Sequence, residues 1–294
     1  MNETVPVILD TDIGSDIDDA VALAYLLAEP RCDLLGITTV AGDVAKRAAL
    51  AQLLCEAAGK PWIPVHCGAP GVLLNGPGQP GVPQFEAVRE LAHRVDWPPA
   101  TAVEFMRRTI QERPGEVTLL SVGPLTNVAL LFATDPETPA LLRQWVSMAG
   151  DFTGARDQKR EWNARCDPLA TAVAFRHTTP RHQHLGLNVT LRCRLTAGEV
   201  RLRFTGPLLE LVAKMAEVWF SERAEIVFHD PLAAVAVFEE SLCAYRRGVV
   251  SVDPLTGSTS FVEAPDGHDY VAADVRPEAF FEAFFARFDV EPMR

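Results

Sequence analysis

The six cysteines of this sequence form no close pair. Cys32, Cys55, Cys67, Cys166, Cys193 and Cys243 are widely spaced and contain no CxxC. That excludes a disulfide scaffold and a thiolate zinc site, and it points to free thiols in a reducing compartment. Positive charge is also short: 27 Lys and Arg against 39 Asp and Glu give a net charge of −12. A surface of that sign repels phosphate backbones and anionic membranes, so neither a nucleic-acid polymer nor a membrane is an expected partner. No apolar stretch approaches the roughly 18 residues a spanning helix requires. The start, Met1-Asn-Glu-Thr4, carries no basic segment leading into an apolar run. No secretory signal is expected, and the cytoplasm is the expected location. Repeats, low-complexity tracts and flexible linkers are missing as well. What is there is 294 residues, 48% apolar and 22% charged, with ample material for a core. One domain over residues 1–294 is the expected organisation.

The first two thirds alternate strand-like and helix-like segments. Strands are expected at Val5–Leu9, Leu34–Val40, Ile63–Cys67, Val117–Val122 and Trp145–Ala149. Helices are expected at Asp19–Ala28, Ala45–Ala58 (ended by Gly59), Ala102–Glu112, Leu125–Thr134 and Pro168–His177. This alternation implies an α/β fold: an open, mostly parallel central sheet flanked by helices. Residues 71–84, rich in Gly and Pro, read as a loop. After Thr190 the pattern becomes more helical, at Gly206–Arg223, Asp230–Phe238 and Pro277–Phe288. Small antiparallel strands are expected at Tyr245–Val252, Ser260–Glu263 and Tyr270–Val275.

The densest chemical signal is Asp10-Thr-Asp12-Ile-Gly14-Ser-Asp16-Ile-Asp18-Asp19, five carboxylates in ten residues between a strand and a helix. Ligands of parallel sheets sit at the carboxyl ends of strands, where this loop lies. Clustered carboxylates repel one another unless a cation neutralises them, and an oxygen-only set suits a hard divalent ion. A solvated acidic loop that caps a helix is the plainer reading, and it suits a lone Asp pair better than this run. His229-Asp230-Pro231 opens a helix, and alone it would be a capping Asp beside an incidental His. Glu161-Trp162-Asn163, ahead of Asp167-Pro168, alone would be a polar loop around a packed tryptophan.

Taken together, these segments are specific. With Ile37-Thr-Thr-Val-Ala-Gly-Asp43, Val122-Gly-Pro-Leu-Thr-Asn127 and Met148-Ala-Gly150, they stand in the order and rough spacing of one family. Over nearly its whole length the chain resembles the inosine–uridine-preferring nucleoside hydrolases. The resemblance implies hydrolysis of the N-glycosidic bond of a ribonucleoside to ribose and free base, using a calcium-bound water. It implies one Ca2+ held by Asp12, Asp19, Asp230 and the backbone carbonyl of Val122. Asp18, Met148, Glu161 and Asn163 match ribose contacts, and Trp162 falls where the family has an aromatic residue near the substrate. Asp12 would take the proton of the water, and His229 would assist the departing base. Members are dimers or tetramers, so a homodimer or homotetramer is implied.

The sequence departs from the short family motif Asp-x-Asp-x-Gly-x-Asp-Asp, being two residues longer and adding Asp16. Asp43 stands where many members have Asn. As a substrate-binding residue it would make the pocket hostile to a 5′-phosphate; as a loop cap it would not. No histidine occurs in residues 71–84, where the family has a histidine-bearing loop. Ala155 falls near the place of a polar ribose-binding side chain. Two other functions compete. A haloacid-dehalogenase-like phosphatase would use Asp10 as nucleophile and Asp12 as acid/base, with Gly150-Asp151 as a later acidic motif. It leaves Asp18-Asp19, Glu161-Trp-Asn163 and His229-Asp230 unexplained and lacks a well-placed lysine. A calcium-dependent nucleoside binder without turnover would have no need of both Asp12 and His229.

Overall fold

The computed structural model describes residues 4–154 and 161–288. Its organisation follows from the first strand. β1 (Val5–Thr11) is buried along nearly its whole length, as a strand covered on both faces must be. Its alternate side chains enter different cores. Val7 and Leu9 join one apolar cluster and Ile8 joins another, the period-two geometry of a pleated strand.

An unbroken parallel run around it is formed by β2 (Cys32–Thr39), β3 (Val65–Cys67), β4 (Thr118–Ser121), β5 (Gln144–Ser147) and β6 (His182–His184). β7 (Arg194–Thr196) and β8 (Glu225–Val227) form a separate antiparallel pair. β9 (Cys243–Val252), β10 (Thr259–Glu263) and β11 (Asp269–Val275) follow. Among the described residues the main sheet has nine strands, ordered β10-β9-β11-β6-β5-β4-β1-β2-β3. The last three were expected as small antiparallel strands. They do pair antiparallel, β9 with both β10 and β11, and they also extend the main sheet through β11, which runs parallel to β6.

From β1 the chain builds outward through β2 and β3, then returns to β4 on the other side of β1. That reversal leaves a crevice beyond the carboxyl ends of β1 and β4. The acidic loop leaves β1 there, and Val122 follows β4.

Helices α1 (Asp18–Ala28), α2 (Val44–Ala57), α3 (Ala102–Glu112), α4 (Thr126–Thr134), α5 (Trp162–Cys166) and α6 (Pro168–Phe175) fill the first part. α7 (Leu187–Thr190), α8 (Ala197–Arg203), α9 (Pro207–Phe220), α10 (His229–Ala236) and α11 (Pro277–Phe285) fill the second. α3 is one-sided: Ala102, Met106 and Ile110, four residues apart, are its buried stripe. α1 is apolar all round and is buried between α10, α9 and α2. Its packing on α10 brings Asp18 and Asp19 to Asp230.

β6 had no counterpart among the expected strands. His182, Gln183 and His184 are all polar and all buried. His184 Nε2 donates to Asp269 Oδ1 at 2.9 Å, and His182 Nε2 shares a hydrogen bond with Ser147 Oγ at 3.0 Å. These bonds partner one ring nitrogen of each histidine in a strand that has no apolar side chain to bury, while Gln183 Nε2 and His184 Nδ1 are buried without a hydrogen-bond partner among the described residues. All six cysteines are free. Among the described residues no helix is long and apolar enough to cross a membrane.

Candidate active site

The acidic loop folds inward at the crevice. Asp12, Asp18 and Asp19 are buried, and so is Asp230 at the start of α10. Asp18, Asp19 and Asp230 each place a carboxylate oxygen within 4.8 Å of the others. Thr11 Oγ1 donates to Asp19 Oδ1 at 2.5 Å, and the Asp230 N–H donates to Asp18 Oδ2 at 3.0 Å. Burial and mutual repulsion push the pKa values of Asp18, Asp19 and Asp230 well above the carboxylate range. Burial also raises Asp12, against the pull of Arg47, and pushes Asp16 up to about 6. Carboxyls that cannot all ionise as they stand, with oxygen as the only donor type, fit a hard divalent cation.

The cluster opens into a cavity of about 390 Å³. Asp12, Asp16, Asp18, Asp19, Val122, Met148, Glu161, Trp162, Asn163, His229 and Asp230 all line it. Gly123 permits this assembly: a Cβ there would stand 2.8 Å from the Asp12 nitrogen and 2.9 Å from Asp12 Oδ1. Glu161 caps α5. Its Oε1 accepts from the Asn163 N–H at 2.7 Å, and its Oε2 accepts from Gly150 and Ala164, both at 2.9 Å. Burial still pushes its carboxyl up to about 7. Asn163 Nδ2 donates to the carbonyls of Val122 (2.6 Å) and Met148 (3.1 Å), tying α5 to the ends of β4 and β5. The Val122 oxygen keeps a second lone pair. His229 Nδ1 shares a 2.7 Å hydrogen bond with Thr190 Oγ1, and burial, aided by Arg194, lowers its pKa to about 4.

Asp43 does not join them. It caps α2, with Oδ1 accepting from the Lys46 N–H at 3.1 Å and Oδ2 3.4 Å from Lys46 Nζ, and its side chain is 44% exposed. The expectation that Asp43 binds substrate and repels a 5′-phosphate is therefore corrected. A free helix N–H captured the carboxylate instead. Asp43→Ala is expected to cost about 0.5–2 kcal/mol in denaturant unfolding and to leave kcat/KM on nucleosides unchanged. A large loss of activity without loss of stability would return Asp43 to the site.

Asp10 is also outside the cavity. It is wholly buried and accepts from Thr38 Oγ1 at 2.6 Å and Asn127 Nδ2 at 2.7 Å, so a phosphatase nucleophile is not placed here. Ala155 lies outside the described residues. The loop at 71–84 puts Gln79 on the cavity, and Gln84 Nε2 donates to the Ser15 carbonyl at 3.2 Å. Sequence reasoning missed Gln79, Leu187, Trp219 and Arg223, which also line the cavity. No motif joins them. Trp219 and Arg223 are four apart, one helical turn, which is the one signal that could have paired them. Beside Trp162, which is 41% exposed, Arg165 stacks on the indole at 4.3 Å.

Comparison with known proteins places the chain in a family and a fold. A family model described as inosine-uridine preferring nucleoside hydrolase matches residues 7–282. Uridine nucleosidase 1 of Arabidopsis thaliana is 32% identical over 265 residues, covering 84% of this chain and 77% of that protein. The non-specific ribonucleoside hydrolase RihC of Escherichia coli is 35% identical over 283 residues, covering 88% of each. A solved plant nucleoside hydrolase superposes with a TM-score of 0.84 at 25% identity, covering 98% of this chain and 99% of that one.

Proposed function

The chain belongs to the inosine–uridine-preferring nucleoside hydrolases, which hydrolyse the N-glycosidic bond of ribonucleosides, and we propose that it does so with one calcium ion in the acidic crevice. The observation that carries this reading is the buried trio Asp18, Asp19 and Asp230 at one end of the cavity. Asp12, Asp19, Asp230 and the Val122 carbonyl would hold the ion. Charged carboxylates with a backbone carbonyl suit calcium better than magnesium, which keeps most of its waters. When bound, such a cation orients water and the sugar and makes the water more acidic.

The chain's own groups do the rest. Asp12 accepts the proton of the attacking water. Asp18, Met148, Glu161 and Asn163 hold the ribose, with Trp162 beside the substrate. As the bond to the base breaks, positive charge grows on the ribose, and the ring of carboxylates favours it. Burial keeps His229 neutral near pH 7. In the tautomer in which the Thr190 hydroxyl donates to Nδ1, the proton sits on Nε2. His229 then acts as a hydrogen-bond donor to the departing base, and a full imidazolium is not required. A homodimer or homotetramer is the assembly this reading carries, and the free cysteines support a cytoplasmic setting.

Uridine, inosine, cytidine and adenosine, incubated with the protein in calcium and followed by chromatography, should yield free base. Chelation should stop the release and added calcium should restore it. Release indifferent to chelation would refute the metal, and no release from any nucleoside would refute the activity.

A further inference from the structure

Arg47 lies in α2, in none of the motifs that mark the site, and is fully buried. Its guanidinium binds three separate segments. Nε donates to the Ala41 carbonyl at 2.7 Å. Nη1 donates to the carbonyls of Asp12 and Ile13 (3.0 Å for the latter) and to Ser15 Oγ at 2.8 Å. Nη2 donates to the carbonyls of Gln79 at 2.7 Å and Gly81 at 3.1 Å. The acidic loop, the end of β2 and the loop at 71–84 thus meet on one side chain. Ala41 sits in the left-handed region at φ 67°, a conformation that a non-glycine residue holds only when its surroundings enforce it. The Arg47 Nε bond and an N–H bond from Ala41 to the Ala69 carbonyl at 2.8 Å do so.

A buried guanidinium with no carboxylate bonded to it is costly unless the local field favours it. Burial lowers the Arg47 pKa, and the nearby carboxyls of Asp12 and Asp19 oppose that shift. The guanidinium uses its fork on the backbone of the acidic loop and leaves the carboxylates directed elsewhere. We infer that Arg47 is a positioning residue for the calcium site, locking the backbone of Asp12–Ser15 in its ion-binding form before the ion arrives. This rests on the calcium reading above. Two effects oppose each other: the positive charge repels the ion, and the locked backbone removes the ordering cost of binding it. The number of backbone bonds argues that locking dominates.

Calorimetric titration with calcium chloride alone tests this. Wild type should bind one ion; if it binds none, the calcium reading fails and the inference with it. Arg47→Lys keeps the charge but loses the planar fork, and should bind calcium about 10–100-fold more weakly. At saturating calcium its kcat and KM should return towards wild type. Arg47→Gln should also weaken binding. Tighter binding in Arg47→Gln would show that repulsion dominates and overturn the inference. So would an Arg47→Lys that binds calcium as wild type does and merely melts earlier, the mark of a structural role. Should neither variant fold, Ser15→Ala decides. It removes one acceptor of Nη1 and should weaken calcium to a smaller extent; unchanged affinity overturns the inference.

Discussion

Asp19→Ala should lose calcium and catalysis together, with kcat/KM on every nucleoside falling by about 10³-fold or more. A bound cation contributes several kcal/mol to such a transition state, and each ~1.4 kcal/mol is a factor of ten. Asp19 is well suited to reveal this. Its Oδ1 is held by Thr11 Oγ1, and its carboxyl shares the 4.8 Å cluster with Asp18 and Asp230. Removing it relieves repulsion among the remaining carboxyls, so the metal-free variant should be no less stable than metal-free wild type. The difference should appear only with calcium. Wild type gains about 2.7 kcal/mol at a hundred times its Kd, and the variant should gain nothing at that concentration. Thermal melts with and without calcium, beside initial rates, measure both. A variant that still binds calcium normally but is inactive would move Asp19 from the ion to the sugar.

His229→Ala should divide substrates by leaving group. Nucleosides need help at the departing base, and the loss there should be about 10²–10³-fold in kcat. A p-nitrophenyl riboside leaves with little help, and its rate should hardly change. The geometry sharpens the expectation. His229 is kept neutral and shares Nδ1 with Thr190, and in the tautomer with the proton on Nε2 the base receives an N–H donor. His229→Gln supplies such a donor without a titrating ring and should recover part of the loss. Equal losses on both substrates would assign His229 to packing at the start of α10.

Much of this protein is written locally. The apolar run of β1, the stripe of α3 and the stop at Gly59 come from periodicity and backbone preference, which do not depend on the rest of the chain. The acidic loop, Glu161-Trp-Asn163 and His229-Asp230 were legible because each is a short segment whose order and spacing survive in the sequence. α8 was legible too and was missed. Thr196-Ala-Gly-Glu199 is a capping box, with both reciprocal bonds formed.

Other features have no local signature. β6 is a strand of His, Gln and His, and it is buried because Asp269 and Ser147 reach it from neighbouring strands. Asp43 reads in sequence as a possible pocket residue, yet the first turn of its own helix takes its carboxylate. Arg47 carries no signal of its own in the sequence, and the fold buries it under carbonyls from residues 12, 13, 41, 79 and 81. Composition and periodicity decide which segments are strands and helices and which carboxylates come in runs. Which polar groups may be buried depends on partners distant in sequence, because an unpaired buried donor or charge is costly and only the assembled fold can supply what satisfies it.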